Sequence, residues 1–140
     1  MAQPFIVIAA SVFLALGTLH ALLTLGDLRR PKAFTPPDPE LRRAMQQSSI
    51  RLHSSVNLWD AWMGFNLTHS LGLVLFGAAF LHVGVFEPVA FAQSSLLQVC
   101  ALLVSAIYLV LSLRFFFSKP AIGSAIGLFC FSLAVALSHG

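Results

Sequence analysis

Four apolar runs, each about the 20 residues a helix needs to cross a bilayer core, divide this 140-residue chain, and its eight basic residues keep to two of the gaps. Arg29, Arg30, Lys32, Arg42, Arg43 and Arg51 lie between the first and second runs, and Arg114 and Lys119 lie between the third and fourth. The residues before the first run, the loop after the second and the residues after the fourth carry no Lys or Arg. In hydrocarbon every backbone N–H and C=O must be satisfied within the protein, so runs of this kind fold as helices. The expected class is all-α, a four-helix transmembrane bundle in a single integral membrane domain over 1–140.

Basic residues favour the cytoplasmic side of a bilayer. Loops one and three are therefore expected in the cytoplasm, with loop two and both termini in the periplasm, as a multi-pass protein of a bacterial inner membrane. Hydrophobic residues are 58% of the chain and charged residues 9%, against about 45–50% and about 25% in soluble domains. The net charge of +3 sits where topology puts it, so it points away from nucleic acid and toward anionic headgroups at the cytoplasmic surface. The first run has no basic n-region and exceeds the h-region of a signal peptide, which reads as a retained span. Cys100 and Cys130 lie inside apolar runs, which argues against a structural disulfide.

The spans are placed at about 5–25, 61–83, 95–117 and 121–137, with a cytoplasmic segment over 26–60. In that segment Pro31, Pro36, Pro37 and Pro39 keep the chain extended, and Asp38 is a good N-cap with Pro39 at the first helical position. From Glu40 the pattern is helical, with Leu41, Met45, Leu52 and Val56 on a narrow arc. The expectation is one amphipathic helix that lies on the membrane or extends span two, the second being favoured, with a bend near Ser54 and Ser55. Trp59 and Trp62 mark the cytoplasmic boundary of span two, and Phe115, Phe116 and Phe117 mark that of span three.

Ionisable groups inside spans are costly and carry functional hypotheses. His20 in span one and His69 in span two are the candidates, on the cytoplasmic side of their span centres and at matching depth. Two imidazoles facing across helices suit a bis-His haem b, with Gly17, Ala21 and Gly72 leaving room, or half of a metal site. The alternative is that His69 and Asn66 hydrogen-bond across the bundle. Trp62, Asn66, His69 and Leu73 share one face of span two, and His53, Asn57, Asp60 and Gly64 share another. Two polar faces on one span suggest that protein covers both. Asp60 at the interface is expected to pair with Arg29, Arg30 or Arg51, and His53 to be solvated. His82, His139 and Glu87 at the outer ends are weak candidates for a metal. Gly123 and Gly127 have the small-xxx-small spacing that lets helix backbones approach.

No Ser-His-Asp or Cys-His arrangement, phosphate-binding Gly loop, metalloprotease helix or midspan carboxylate appears, so no catalytic residue is assigned. The stretch Asn57-Leu-Trp-Asp-Ala-Trp-Met-Gly-Phe-Asn-Leu-Thr-His-Ser-Leu-Gly72 resembles a pattern in small uncharacterised four-span bacterial membrane proteins. The resemblance implies the architecture and no activity. The functional expectation is a non-catalytic inner-membrane protein that acts through helix–helix contacts, as an accessory subunit of a larger complex or a homo-oligomer. The alternatives are a haem b or metal-binding redox protein using His20 and His69, and a small protein handling a lipophilic ligand or ion around Asn66, His69 and Trp62. Its expected partners are the lipid bilayer and other membrane subunits or itself.

Overall fold

The computed structural model of the chain describes residues 1–139. Along it follow α1 (Gln3–Arg29), α2 (Pro39–Gln47), β1 (Ser49–Ile50), β2 (His53–Asn57), α3 (Leu58–Phe86), α4 (Pro88–Gln93), α5 (Ser95–Phe115) and α6 (Ser118–His139). With 82% of residues helical, the all-α class holds. Helices α1, α3, α5 and α6 are long and apolar enough to cross a membrane. Even α5, at 21 residues, reaches about 32 Å against a hydrocarbon core of about 30 Å. Apolar residues surround each of the four rather than forming a stripe, the pattern of helices covered on all sides. The chain is a multi-pass membrane protein.

Local chemistry sets the helix starts. Asp38 caps α2, its carboxylate accepting from Glu40 N–H at 2.9 Å, with Pro39 at the first helical position. Asn57 caps α3 reciprocally: its Oδ1 accepts from the Asp60 N–H at 2.8 Å, and its Nδ2 donates to the Asp60 carboxylate at 2.8 Å. Ser94 closes α4 and opens α5 by accepting from Leu97 N–H. Pro120 lies in the first turn of α6, where its missing N–H costs no helical bond.

The segment between the first two spans corrects the expectation of one helix running into span two. Helix α2 ends at Gln47, Ser48 is extended (φ −90°, ψ 121°), and β1 and β2 pair as an antiparallel hairpin. Serines bond locally to the backbone in non-helical conformations, and β-branched Ile50 and Val56 favour strands. Ser48, Ser49, Ser54 and Ser55 thus outweigh the apolar arc. Leu52 sits in the hairpin turn and is 92% exposed. His53 and Asn57 lie on β2, so the second polar face of span two is not a helix face. Asp60 bonds to Asn57 rather than to an arginine.

The chain forms two compact units, Met1–Leu16 with Leu73–Gly140, and Gly17–Gly72. The core of the first joins Ile6, Ala9, Ala10 and Phe13 of α1 to Leu73 and Phe80 of α3, Phe91 of α4, Ala101 of α5 and Cys130, Phe131 and Ala134 of α6. Its centre is aromatic. Phe13 and Phe131 are fully buried and stacked at 6.4 Å, and Phe76 meets Phe13 edge-on at 5.1 Å. Each such pair adds about 0.5–1.5 kcal/mol beyond area burial.

Glycines let the helices close around these rings. A Cβ at Gly77 would stand 2.5 Å from the Leu14 nitrogen and 2.9 Å from the Ala10 oxygen, so α1 and α3 touch backbone to backbone. Gly123 faces Leu16, and Gly127 leaves the space that the Phe13 ring occupies. Helices α5 and α6 pack extensively, and their buried positions are mostly small: Ala101, Ser105 and Ser112 on α5, and Gly123, Ser124 and Gly127 on α6. Cys100 and Cys130 are free thiols.

Candidate functional site

Several polar groups of the second unit form a connected cluster. His20 of α1 donates from Nε2 to Asn66 Oδ1 of α3 at 3.0 Å. Asn66 Nδ2 donates to the Trp62 carbonyl one turn earlier at 2.8 Å, which turns the amide oxygen toward His20. Ser70, one turn later, donates to the Asn66 carbonyl at 2.7 Å. Trp62, Asn66 and Ser70 recur at the four-residue spacing that keeps side chains on one helix face. His69 comes beside His20, ring centroids 5.4 Å apart at 70°, and stacks with Phe65 at 6.2 Å. Asn66 and Ser70 are buried and His20 and His69 partly so.

Residue Phe34, from the loop after α1, completes the cluster. Its ring lies 4.5 Å from that of His20, and its carbonyl accepts from Trp62 Nε1 at 3.0 Å. The loop is held by Asp27, whose carboxylate accepts from Lys32 N–H at 3.1 Å, Ala33 N–H at 2.7 Å, Phe34 N–H at 2.7 Å and Thr35 Oγ1 at 2.9 Å. Asp27 is 2% exposed. Reading the sequence for spans and caps passes over this role. A signal was present, because a carboxylate in the last turn of a helix opposes the macrodipole and needs donors from elsewhere. The following loop supplies them.

Two adjoining clefts open on this loop. One, of about 830 Å³, is lined by Lys32, Arg42 and Arg43 together with Thr35, Gln46 and prolines 31, 36, 37 and 39. The other, of about 430 Å³, is mostly apolar, with Phe34, Met45 and Trp62 in its wall. Ala33, Thr35 and Pro36 border both. The Arg42 guanidinium stands 5.3 Å from the centre of the Trp59 ring, and its Nε is buried with no hydrogen-bond partner. The clefts touch Trp62 but not Asn66 or His69.

The metal and cofactor candidates distribute as follows. Two imidazoles ligating one haem iron stand on opposite sides of the macrocycle with a donor nitrogen each aimed at the metal. His20 and His69 instead meet edge to face, and His20 Nε2 is engaged by Asn66, so the pair does not fit a porphyrin in this arrangement. Among the described residues no three His, Cys, Asp or Glu side chains converge as a metal site. His139 donates to Gln98 Oε1 at 2.9 Å, His82 lies 5.1 Å from the Phe86 ring, and Glu87 precedes α4. Gln98, a second residue passed over in the sequence, is buried and also donates from Nε2 to the Phe91 and Ala92 carbonyls, both at 3.1 Å. It thereby ties the end of α4 to α5 and to the last turn of α6.

No protein-family model, no curated protein and no solved structure matches the chain.

Proposed function

We propose that this is a non-catalytic multi-pass protein of a bacterial inner membrane, acting through helix–helix contacts as an accessory subunit of a larger membrane complex or as a homo-oligomer. The observation that carries this reading is what the span polar groups do. His20, Asn66, Thr24 and Ser70 bond within their own unit, and Gln98 and His139 bond within theirs. Outward positions are large and apolar instead, among them Phe65, Leu71 and Leu75 on α3 and Leu96, Leu103 and Val110 on α5. Such faces suit lipid or another apolar helix, and close packing between helices rather than hydrophobicity would select a partner there. The six basic residues from Arg29 to Arg51 support a cytoplasmic α1–α3 connection with both termini in the periplasm.

Blue-native electrophoresis in a mild detergent tests the proposal. The expected result is a species heavier than the monomer, or a co-purifying membrane subunit. Migration at monomer mass with no companion would refute it. An absorption spectrum of the natively purified protein separates the redox alternative, which requires a Soret band that His69→Ala abolishes.

A further inference from the structure

The double cleft beside the α1–α3 connection carries a charge arrangement that the contact role does not use. Lys32, Arg42 and Arg43 line one chamber, and no carboxylate lines it. Of the nearby acids, Asp27 is engaged by the loop backbone and Thr35, Asp38 by the Glu40 N–H and Asp60 by Asn57, and Glu40, in the first turn of α2, is outside the chamber lining. Three cations around one opening repel each other unless an anion joins them. Arg42 is positioned in advance by the Trp59 ring, and its buried Nε still lacks an acceptor. That Nε is closed off, so a ligand in the cleft would be met by the terminal nitrogens of the guanidinium. Planar guanidinium donors match the paired oxygens of a phosphate, with lysine serving as a point charge.

The second chamber defines the rest of the ligand. It opens from the same Ala33–Thr35–Pro36 edge and presents Phe34, Met45 and Trp62. A free inorganic ion would leave that apolar wall in water. From these observations we infer that the cleft binds an anionic phospholipid, its phosphate held by Lys32, Arg42 and Arg43 and the start of an acyl chain laid against Phe34, Met45 and Trp62. Charge complementarity and an adjoining apolar surface at the end of a membrane span select this occupant over a soluble phosphate ester, which shares only the headgroup chemistry. Phe34 forms part of the wall, and Asp27 holds its backbone, so the Asp27 clamp shapes the site without touching the lipid.

The test uses the full chain in nanodiscs of phosphatidylcholine, with dioleoyl phosphatidic acid added in steps and retained lipid counted by native mass spectrometry. Inorganic phosphate is titrated in parallel. The expected result is saturable retention of phosphatidic acid over phosphatidylcholine, weakened about tenfold or more by Arg42→Ala. Arg42→Lys, which keeps the charge but loses the planar fork, should also weaken it, as should Lys32→Gln, which leaves the Trp59 contact in place. Arg29→Ala and Arg30→Ala, outside the cleft wall, should change retention little. Equal losses from Arg29→Ala and Arg42→Ala would reduce the effect to general surface attraction and overturn the site. Inorganic phosphate displacing phosphatidic acid at equal concentration would overturn the lipid assignment in favour of a soluble anion. Unaltered retention in both Lys32→Gln and Arg42→Lys would also overturn it.

Discussion

Replacing Asp27 with alanine should release the Lys32–Thr35 loop while leaving the spans folded. The carboxylate accepts three backbone N–H bonds and one hydroxyl bond, and hydrogen bonds to charged groups are worth about 1.5–3 kcal/mol each. Four such bonds do not add, because they share one carboxylate and the freed N–H groups regain water when the loop opens. Opening should therefore become easier by about 2–3 kcal/mol, a rise of about 30- to 150-fold in amide exchange at Lys32, Ala33 and Phe34. Asp27→Asn makes the test sharper. Its oxygen can still accept from Lys32 and Ala33, but its NH₂ faces the Phe34 N–H, so Phe34 alone should lose protection. The Trp62 bond to the Phe34 carbonyl should weaken in both variants, seen as a shift in Trp62 emission in a Trp59→Phe background. Native exchange rates at all three amides in Asp27→Ala, with an unchanged helical spectrum, would refute the clamp.

Three further substitutions rank the forces holding the helices. Gly77→Ala gains about 1 kcal/mol of helix propensity but puts a methyl against the α1 backbone, where overpacking costs about 1–3 kcal/mol and a rigid backbone cannot yield as a side chain does. It should lower unfolding stability in detergent, whereas Gly64→Ala, on the same helix with nothing within 4 Å, should be neutral or stabilising. Asn66→Leu deletes the acceptor of the His20 N–H. Interhelical hydrogen bonds in membranes average about 0.6 kcal/mol and an orphaned buried donor costs about 1–3 kcal/mol, so a loss near 1 kcal/mol is expected in the same assay. A loss smaller for Gly77→Ala than for Asn66→Leu would show that polar bonding rather than close packing leads.

What could be read from the sequence and what could not divide along a physical line. Runs of apolar residues and the places of Arg and Lys depend on composition alone, and the four long helices follow them with ends shifted by a few residues. The Asp38 cap depends on neighbours two residues apart and was equally legible. In the 40–57 segment a helical arc of four apolar residues competes with four serines and two β-branched residues, whose preferences act on the backbone directly and prevail. Asn57 with Asp60 three residues on is a local cap pattern that marks the start of α3.

The cluster itself lay beyond any local rule. That His20 shares a level with span two follows from counting residues, but that it meets Asn66 Oδ1 depends on Asn66 spending its NH₂ on Trp62. Asn66 therefore acts as an oriented acceptor, a role that residue identity cannot distinguish from donor. Asp27 shows the same dependence on where its partners lie. The last helical turn leaves its carboxylate facing a dipole of the wrong sign. Backbone N–H groups of the chain leaving that helix are the closest donors of the right sign, and a loop of six residues from Arg30 to Thr35 is just long enough to fold them back. Lys32, Arg42 and Arg43 are thereby left without Asp27 as a counter-ion, and the clamp that organises the loop also leaves its basic chamber open to an external anion.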